Sequence, residues 1–351
     1  MELIDWGTAQ RVGELVAGSP PPGGIRAAAV EPLAHDYARR VSEYSGLAEP
    51  SELPPLEVVD RPAWIAANLQ SMRPLMASVT DRIEDGGGIF AGPLRAASGV
   101  LLGVQVGALT GVLSQRVLGQ YDLALLDAAV PPRLLLLAPN LAQAARSLGV
   151  DREELVRWVT IHEVTHAVQF SGAPWLREHI GGLLRELLDG LQIAMAPQAG
   201  RSALRLPRLP DAGDLRDLVA RAREGDLLRL TLGEDRWQLV QRMQSAMSLI
   251  EGHAEHTMDA VGAEVLPSLP RLRAAMTHRR ETRGLPWRVL ERLLGLELKM
   301  RQYETGRRFC DAVVADGGPP ALALAFSGPQ ALPSAAELER PADWLARMRA
   351  A

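Results

Sequence analysis

The segment His162-Glu163-Val164-Thr165-His166 constrains this chain more than any other. Two histidines four apart share one face of a helix, one turn from each other, so both imidazoles can reach a single metal ion. Glu163 is offset from His162 by about 100° around the helix, where it can touch a water on that ion without binding the ion itself. Zinc lowers the pKa of such a water towards about 7, and a glutamate so placed takes its proton as general base. The spacing therefore predicts a helix through 162–166 and a zinc-activated water beside Glu163.

The neighbouring residues support a helix. Asp151, with Glu154 three residues on, forms a start of the capping-box kind, and the helix it opens ends near Ser171-Gly172. The chain holds one cysteine, Cys310. That excludes an internal disulfide and a four-cysteine zinc site, so a metal here depends on histidine and carboxylate. A catalytic zinc has three protein ligands and one open position. The metzincin pattern, which needs glycine at 169 and histidine at 172, is ruled out by Gln169 and Gly172.

The third ligand is sought in Ser248–Asp259. On a helical wheel Met243, Met247, Ile250, Ala254 and Met258 gather on one face, with Glu251 inside that face and Glu255 at its edge. Carboxylates on an apolar face are costly unless paired or metal-bound. His253 points almost oppositely and His256 to the side, while Gly252 leaves room for a facing helix. This arrangement resembles that of the gluzincins, which implies Glu251 as third ligand and Glu255 as the carboxylate that steadies a histidine ligand. Glu255, His256 and His179 are the other candidates for the ligand.

Several segments together resemble the zincin-like metallopeptidase type 2 family: His162–Phe170, Gly119–Leu123, Ala173–Arg177, Glu251–His256 and Lys299–Tyr303. The similarity runs from about Val59 to the C-terminus. It implies a soluble zinc hydrolase, one zinc ion per chain and a zincin-like core. Some members of the family are linked with deazaflavin coenzyme biosynthesis. A donor for the developing oxyanion is also needed, and Tyr303 and His256 are the candidates. Packing is the alternative role for Tyr303.

Leu, Ala and Arg, all good helix formers, dominate the rest of the chain, and aromatics make up only 4%. The expected fold is mainly α with a small β-sheet (α+β), a zincin-like metalloprotease core. Residues 1–90 are expected to form an N-terminal helical portion and 91–351 the metallohydrolase region, both parts of one compact unit. Helices are expected either side of Ser19–Gly24, after the N-cap Asp60 with Pro62 in the first turn, at 175–191, twice within 213–264, at 286–314 and after Pro341. Loops are expected at 50–56, Gly86–Gly88 and 196–212. Arg133–Ala138, bounded by Pro131-Pro132 and Pro139-Asn140, reads as a strand: either an edge open to an extended peptide or a buried strand without a ligand role. Ala96–Gln115 is almost wholly apolar, with glycines at 99, 103, 107 and 111. It reads as a buried central helix, with a membrane span as the alternative.

The formal charge of −4, from 38 basic and 42 acidic residues, offers no clustered basic surface for nucleic acid. The acidic N-terminus does not read as a signal peptide, and with the single cysteine it points to the cytoplasm, away from the membrane. The function expected is hydrolysis of a peptide or amide bond in a peptide or protein substrate. Two alternatives are a non-catalytic zinc scaffold that binds a partner and a membrane-embedded protease.

Overall fold

A run of four leucines suits a strand covered on both faces, because successive side chains point to opposite sides. Leu134, Leu135, Leu136 and Leu137 are all buried, none more than 1% exposed. They lie in β3 (Arg133–Leu137), the middle strand of a three-stranded sheet. The parallel neighbour is β1 (Leu56–Val59) and the antiparallel one is β2 (Gly119–Asp122). Leu134 and Leu136 enter one apolar cluster, Leu135 and Leu137 a second on the other face. Arg133–Ala138 is thus the buried strand of the two expected alternatives. Paired on both sides, it has no backbone edge for a substrate, and the edges belong to β1 and β2.

The computed structural model describes residues 4–20, 24–84, 93–127, 129–195, 234–281 and 296–350. The loops expected at 86–88 and 196–212, the first part of the helices expected at 213–264, and residues 286–295 lie outside them. As expected, the fold is mainly helical around the small sheet. On the side of Leu135 and Leu137 stand α1 (Trp6–Ala17), α3 (Arg61–Glu84) and α4 (Pro93–Ser114). On the side of Leu134 and Leu136 stand α2 (Ala27–Ser45), α5 (Ala138–Leu148), α6 (Arg152–Gly172), α7 (Trp175–Met195), α8 (Glu234–Val265), α9 (Leu269–Glu281) and α10 (Leu296–Ala323). Two short helices, α11 (Ala335–Glu339) and α12 (Pro341–Ala350), close the chain.

Three local readings change. Pro139 does not end a segment: it sits in the first turn of α5, where a missing N–H is harmless. The strands β1 and β2 and the helix α9 were not anticipated. The apolar stretch Ala96–Gln115 falls largely within α4, whose glycines lie against α1. A Cβ on Gly103 would stand 2.5 Å from the Asp5 carbonyl oxygen, one on Gly111 2.5 Å from that of Gly13, and one on Gly107 would strike the Ala9 carbonyl. The covering helix for the glycine face is therefore α1. The apolar part of α4, Gly99–Ser114, falls short of a membrane span. Among the described residues, Glu304–Phe326 has the length and composition of one, but its helix kinks at Gly318, just before Pro319-Pro320, and packs on α8.

That packing of α8 on α10 matters for the site. A Cβ on Gly252 would strike the Gly306 backbone, and one on Gly306 would strike the Ser248 carbonyl. Two backbones touch here, one residue from Glu251. Gly252→Ala should therefore destabilise the protein by about 1–3 kcal/mol through overpacking. Gly182→Ala is the control: it lies inside α7 with nothing near its missing side chain, and should be neutral or stabilising by up to about 1 kcal/mol. Urea unfolding of both variants measures the difference, and equal midpoints would show that the crossing is looser than described.

Candidate metal centre

Helix α6 starts where the capping residues place it. The Asp151 carboxylate accepts from the Glu154 N–H at 2.9 Å. The reciprocal half of a capping box is absent, because the Glu154 side chain instead accepts from the Ser268 N–H at 3.2 Å, tying α6 to the start of α9. Two turns of α6 further on, His162 Nε2 and His166 Nε2 stand 3.3 Å apart. Glu251 Oε2, from α8, lies 3.7 Å from each. Two ligand atoms about 2.0–2.1 Å from a tetrahedral ion are separated by about 3.3 Å, so this set of two nitrogens and one oxygen fits a zinc-sized ion. The ligand atoms of His162, His166 and Glu251 all fall within 4.8 Å of one another.

The orientation of His166 follows from a backbone carbonyl. The side chain of Gln169, fully buried one turn along α6, lies 2.8 Å through Nε2 from the Ile250 oxygen. That oxygen can only accept, so the amide must present its NH₂ there and its oxygen on the other side. The oxygen, Gln169 Oε1, is 2.9 Å from His166 Nδ1. His166 must then carry its proton on Nδ1 and donate it, leaving the Nε2 lone pair facing the triad. The second amide N–H of Gln169 points at His253 Nδ1, 2.9 Å away. Burial pushes the His253 imidazole down to about 3, helped by the neighbouring His256 and His166. It is therefore neutral and accepts this bond. One amide thus sets the tautomers of two histidines and joins the two helices that carry the triad.

Glu163 lies under the edge of β2. The Tyr121 N–H turns away from the sheet and donates to Glu163 Oε2 at 2.7 Å. Only glycine fits at the start of this strand, since a Cβ on Gly119 would stand 2.6 Å from Val159 Cγ1 and 2.8 Å from the Glu163 carboxylate. Burial pushes the Glu163 carboxyl up to about 7. The Glu251 carboxylate adds to that, while the His166 imidazole and the Tyr121 N–H pull it down. An acid–base group works best with a pKa near the working pH, and a bound cation would lower this one further. The ring of Tyr121 packs on Phe170 of α6, with centroids 5.7 Å apart.

The remaining candidates fall elsewhere. Glu255 is buried one turn beyond Glu251 on α8. His256 is not in the triad: its Nε2 lies 2.8 Å from the Tyr44 hydroxyl and its Nδ1 2.6 Å from Asp311 Oδ1, so both ring nitrogens are engaged. His179 packs against Trp175 on α7, also outside the triad. The side chain of Tyr303 lies outside the described residues. Sequence reasoning missed Gln169, His253, Tyr121 and Gly119 as parts of the site. Gln169 was legible as a polar residue three positions after His166 on its face; the role of Tyr121 lies in its backbone and leaves no mark in the residue type.

A family of zincin-like metallopeptidases matches residues 4–345. A crystal structure from Chloroflexus aurantiacus, of a candidate hydrolase with a novel fold, is similar with a TM-score of 0.69 and 29% identity over 99% of each chain. No curated protein matches the sequence.

The Gln169 bridge yields two separable outcomes. Gln169→Leu removes all three bonds of the amide, and should weaken metal affinity by roughly 10–100-fold as well as lowering the unfolding midpoint. Gln169→Glu keeps an acceptor for His166 but sets a carboxylate against the Ile250 carbonyl. It should hold metal more tightly than the leucine variant while unfolding more easily than the native protein. Chelator competition and urea titration read the two effects; wild-type metal affinity in Gln169→Leu would remove the amide from the site.

Proposed function

The chain belongs to the zincin-like metallopeptidase family, and from that premise and the geometry of the triad we propose that it is a zinc-dependent hydrolase cleaving a peptide or amide bond. Family membership supports the hydrolase class and implies a metal. The observation that carries the finer reading is the convergence of His162, His166 and Glu251 beside a buried carboxylate that none of them needs as a fourth ligand. When bound, one zinc ion per chain supplies a Lewis acid and a water of lowered pKa.

In this reading His162 and His166 hold the ion through Nε2 and Glu251 through a carboxylate oxygen. Gln169 keeps the Nδ1 proton on His166, so that Nε2 stays a donor to the metal. Glu163 takes a proton: the Tyr121 N–H occupies its Oε2, leaving Oε1 to receive it. Glu255, buried on the same helix, orients a ligating histidine. An extended peptide lies along β2, the edge strand nearest Glu163, rather than along β3. A purely structural zinc site would close its fourth position with a protein ligand and would have no use for Glu163, which disfavours the scaffold alternative.

Elemental analysis of purified protein should find about one zinc per chain, lost in His162→Ala, His166→Ala and Glu251→Ala. Glu163→Gln should keep the metal and lower the rate of peptide cleavage by roughly 10²–10⁴-fold. Glu255→Ala should keep stoichiometric zinc but release it sooner to a chelator. Unchanged zinc in both histidine variants would refute the site; normal cleavage by Glu163→Gln would refute the mechanism.

A further inference from the structure

Beside β2 is a cavity of about 420 Å³, walled by α3, β2, the segment after β2 and Leu184 of α7. None of His162, Glu163, His166 and Glu251 lines it. The volume is in the range of small-molecule pockets, about 300–1,000 Å³. The wall is built rather than slack. Arg177 of α7 donates to the Ala124 and Asp127 carbonyls, the latter at 2.8 Å. A Cβ on Gly181 would stand 2.8 Å from the Leu125 carbonyl oxygen. The segment after β2 is thus fastened to α7, and a ligand need not order it before binding.

Charge decides what the cavity takes. Two acids line it, Asp122 and Asp127, against one base, Arg133. That base is already matched: it donates to Asp122 Oδ2 at 2.7 Å and lies 3.8 Å from Glu57, which is outside the lining. Asp122 is buried, and its Oδ1 has only a long contact from Gln120 Nε2, at 3.3 Å. Asp127 Oδ1 accepts from the Ala129 N–H at 3.0 Å, while its Oδ2 has no hydrogen bond among the described residues. Arg177 gives its hydrogen bonds to main-chain carbonyls, not to this carboxylate. Gln70 and Ser71 add an amide oxygen and a hydroxyl, neither hydrogen-bonded among the described residues. The rest of the wall is largely aliphatic, with Met72, Leu126, Val130 and Leu184. An anion would meet a carboxylate with no cation to offset it, and a neutral head would leave that carboxylate unanswered. A primary ammonium brings three donors and one positive charge, which these acceptors can satisfy.

We propose that this cavity is a binding site, separate from the metal centre, for a small organic cation: a primary amine on an aliphatic or aromatic body. The ammonium group meets Asp127 and the open side of Asp122, and the body packs on the aliphatic wall. β2 is the partition between the two sites, since Gln120 and Asp122 line the cavity and the N–H of Tyr121 between them holds Glu163. The site does not depend on the hydrolase reading, and its occupancy is measured without turnover.

Isothermal titration of the full-length protein with butylamine, hexylamine, 1-hexanol and hexanoate tests this, in phosphate buffer near pH 7 with excess EDTA. The six-carbon compounds share a body and differ in the charge of the head, and the chelator removes coordination of the amine to a metal. Hexylamine, cationic at that pH, should bind at least about tenfold more tightly than 1-hexanol, the worth of one charge-assisted hydrogen bond. Hexanoate should bind more weakly than either. Two extra methylenes should make hexylamine about tenfold tighter than butylamine. Asp127→Asn keeps an acceptor for the Ala129 N–H and removes only the charge, so it should erase the preference for amine over alcohol. Val130→Trp and Leu184→Trp fill the cavity from the loop and from α7, and should weaken hexylamine. Val130 is 40% exposed, so its variant does not burden the core. Unfolding midpoints verify that the variants fold. An amine preference that Asp127→Asn abolishes supports the site. Equal binding of the three heads, a preference unchanged in Asp127→Asn, hexylamine binding untouched by both tryptophan variants, or no binding by any of the compounds overturns it.

Discussion

A backbone carbonyl can accept a hydrogen bond but never donate one. At Ile250 this rule decides which way the Gln169 amide faces, and through it the proton position on His166 and on His253. The Ile250 carbonyl belongs to the residue before Glu251, so the same bond that selects the histidine tautomer also registers α8 on α6. A shift of α8 by one residue would move Glu251 off the triad and leave a buried amide unpaired, which costs about 1–3 kcal/mol. The candidate ligands His162, His166 and Glu251 are thus aligned by a fully buried polar contact among protein groups alone.

Close backbone approach does the rest of the positioning. Gly252 and Gly306 let α10 press on α8 beside Glu251, and Gly119 lets β2 settle on Glu163. The sheet can place β2 there because β3, buried on both faces, fixes both neighbouring strands in register. The chain from the leucine run to Glu163 is therefore short: β3 holds β2, and the β2 backbone holds the Glu163 carboxylate.

The local parts of this arrangement were legible in the residues. The spacing of His162, Glu163 and His166 and the capping residue Asp151 need only one helix to be interpreted. Glu251 was legible because an acid inside an apolar helical face demands a reason. What stayed hidden depends on partners far along the chain. β1 and β2 are four residues each, too short to show a period, and exist through their pairing with β3. Whether Arg133–Leu137 was edge or centre could not be read from its own leucines. His253 was read as pointing away from the apolar face, yet it is buried because α6 and Phe326 cover that side too, its ring 4.7 Å from that of Phe326. His256 looked like a candidate ligand until Tyr44 and Asp311, 212 and 55 residues away, took both of its nitrogens.

The balance at Glu163 shows what a proposed base gains by sitting under a strand rather than in the open. Burial alone would hold a carboxyl in its neutral form, already carrying the proton it would have to accept. Water alone would leave its pKa near the ordinary 4.5 and its affinity for a proton too low. Here burial raises that affinity; the His166 imidazole and, to a smaller degree, the Tyr121 N–H limit the rise, and that N–H also fixes one oxygen. The donor is a main-chain group, so a change of side chain at position 121 does not remove it. Only movement of the strand can do so, and that strand is held by β3 on one side and by the glycine contact with α6 on the other. The placement of the Glu163 carboxylate is in this way a property of the sheet as much as of the helix that carries it.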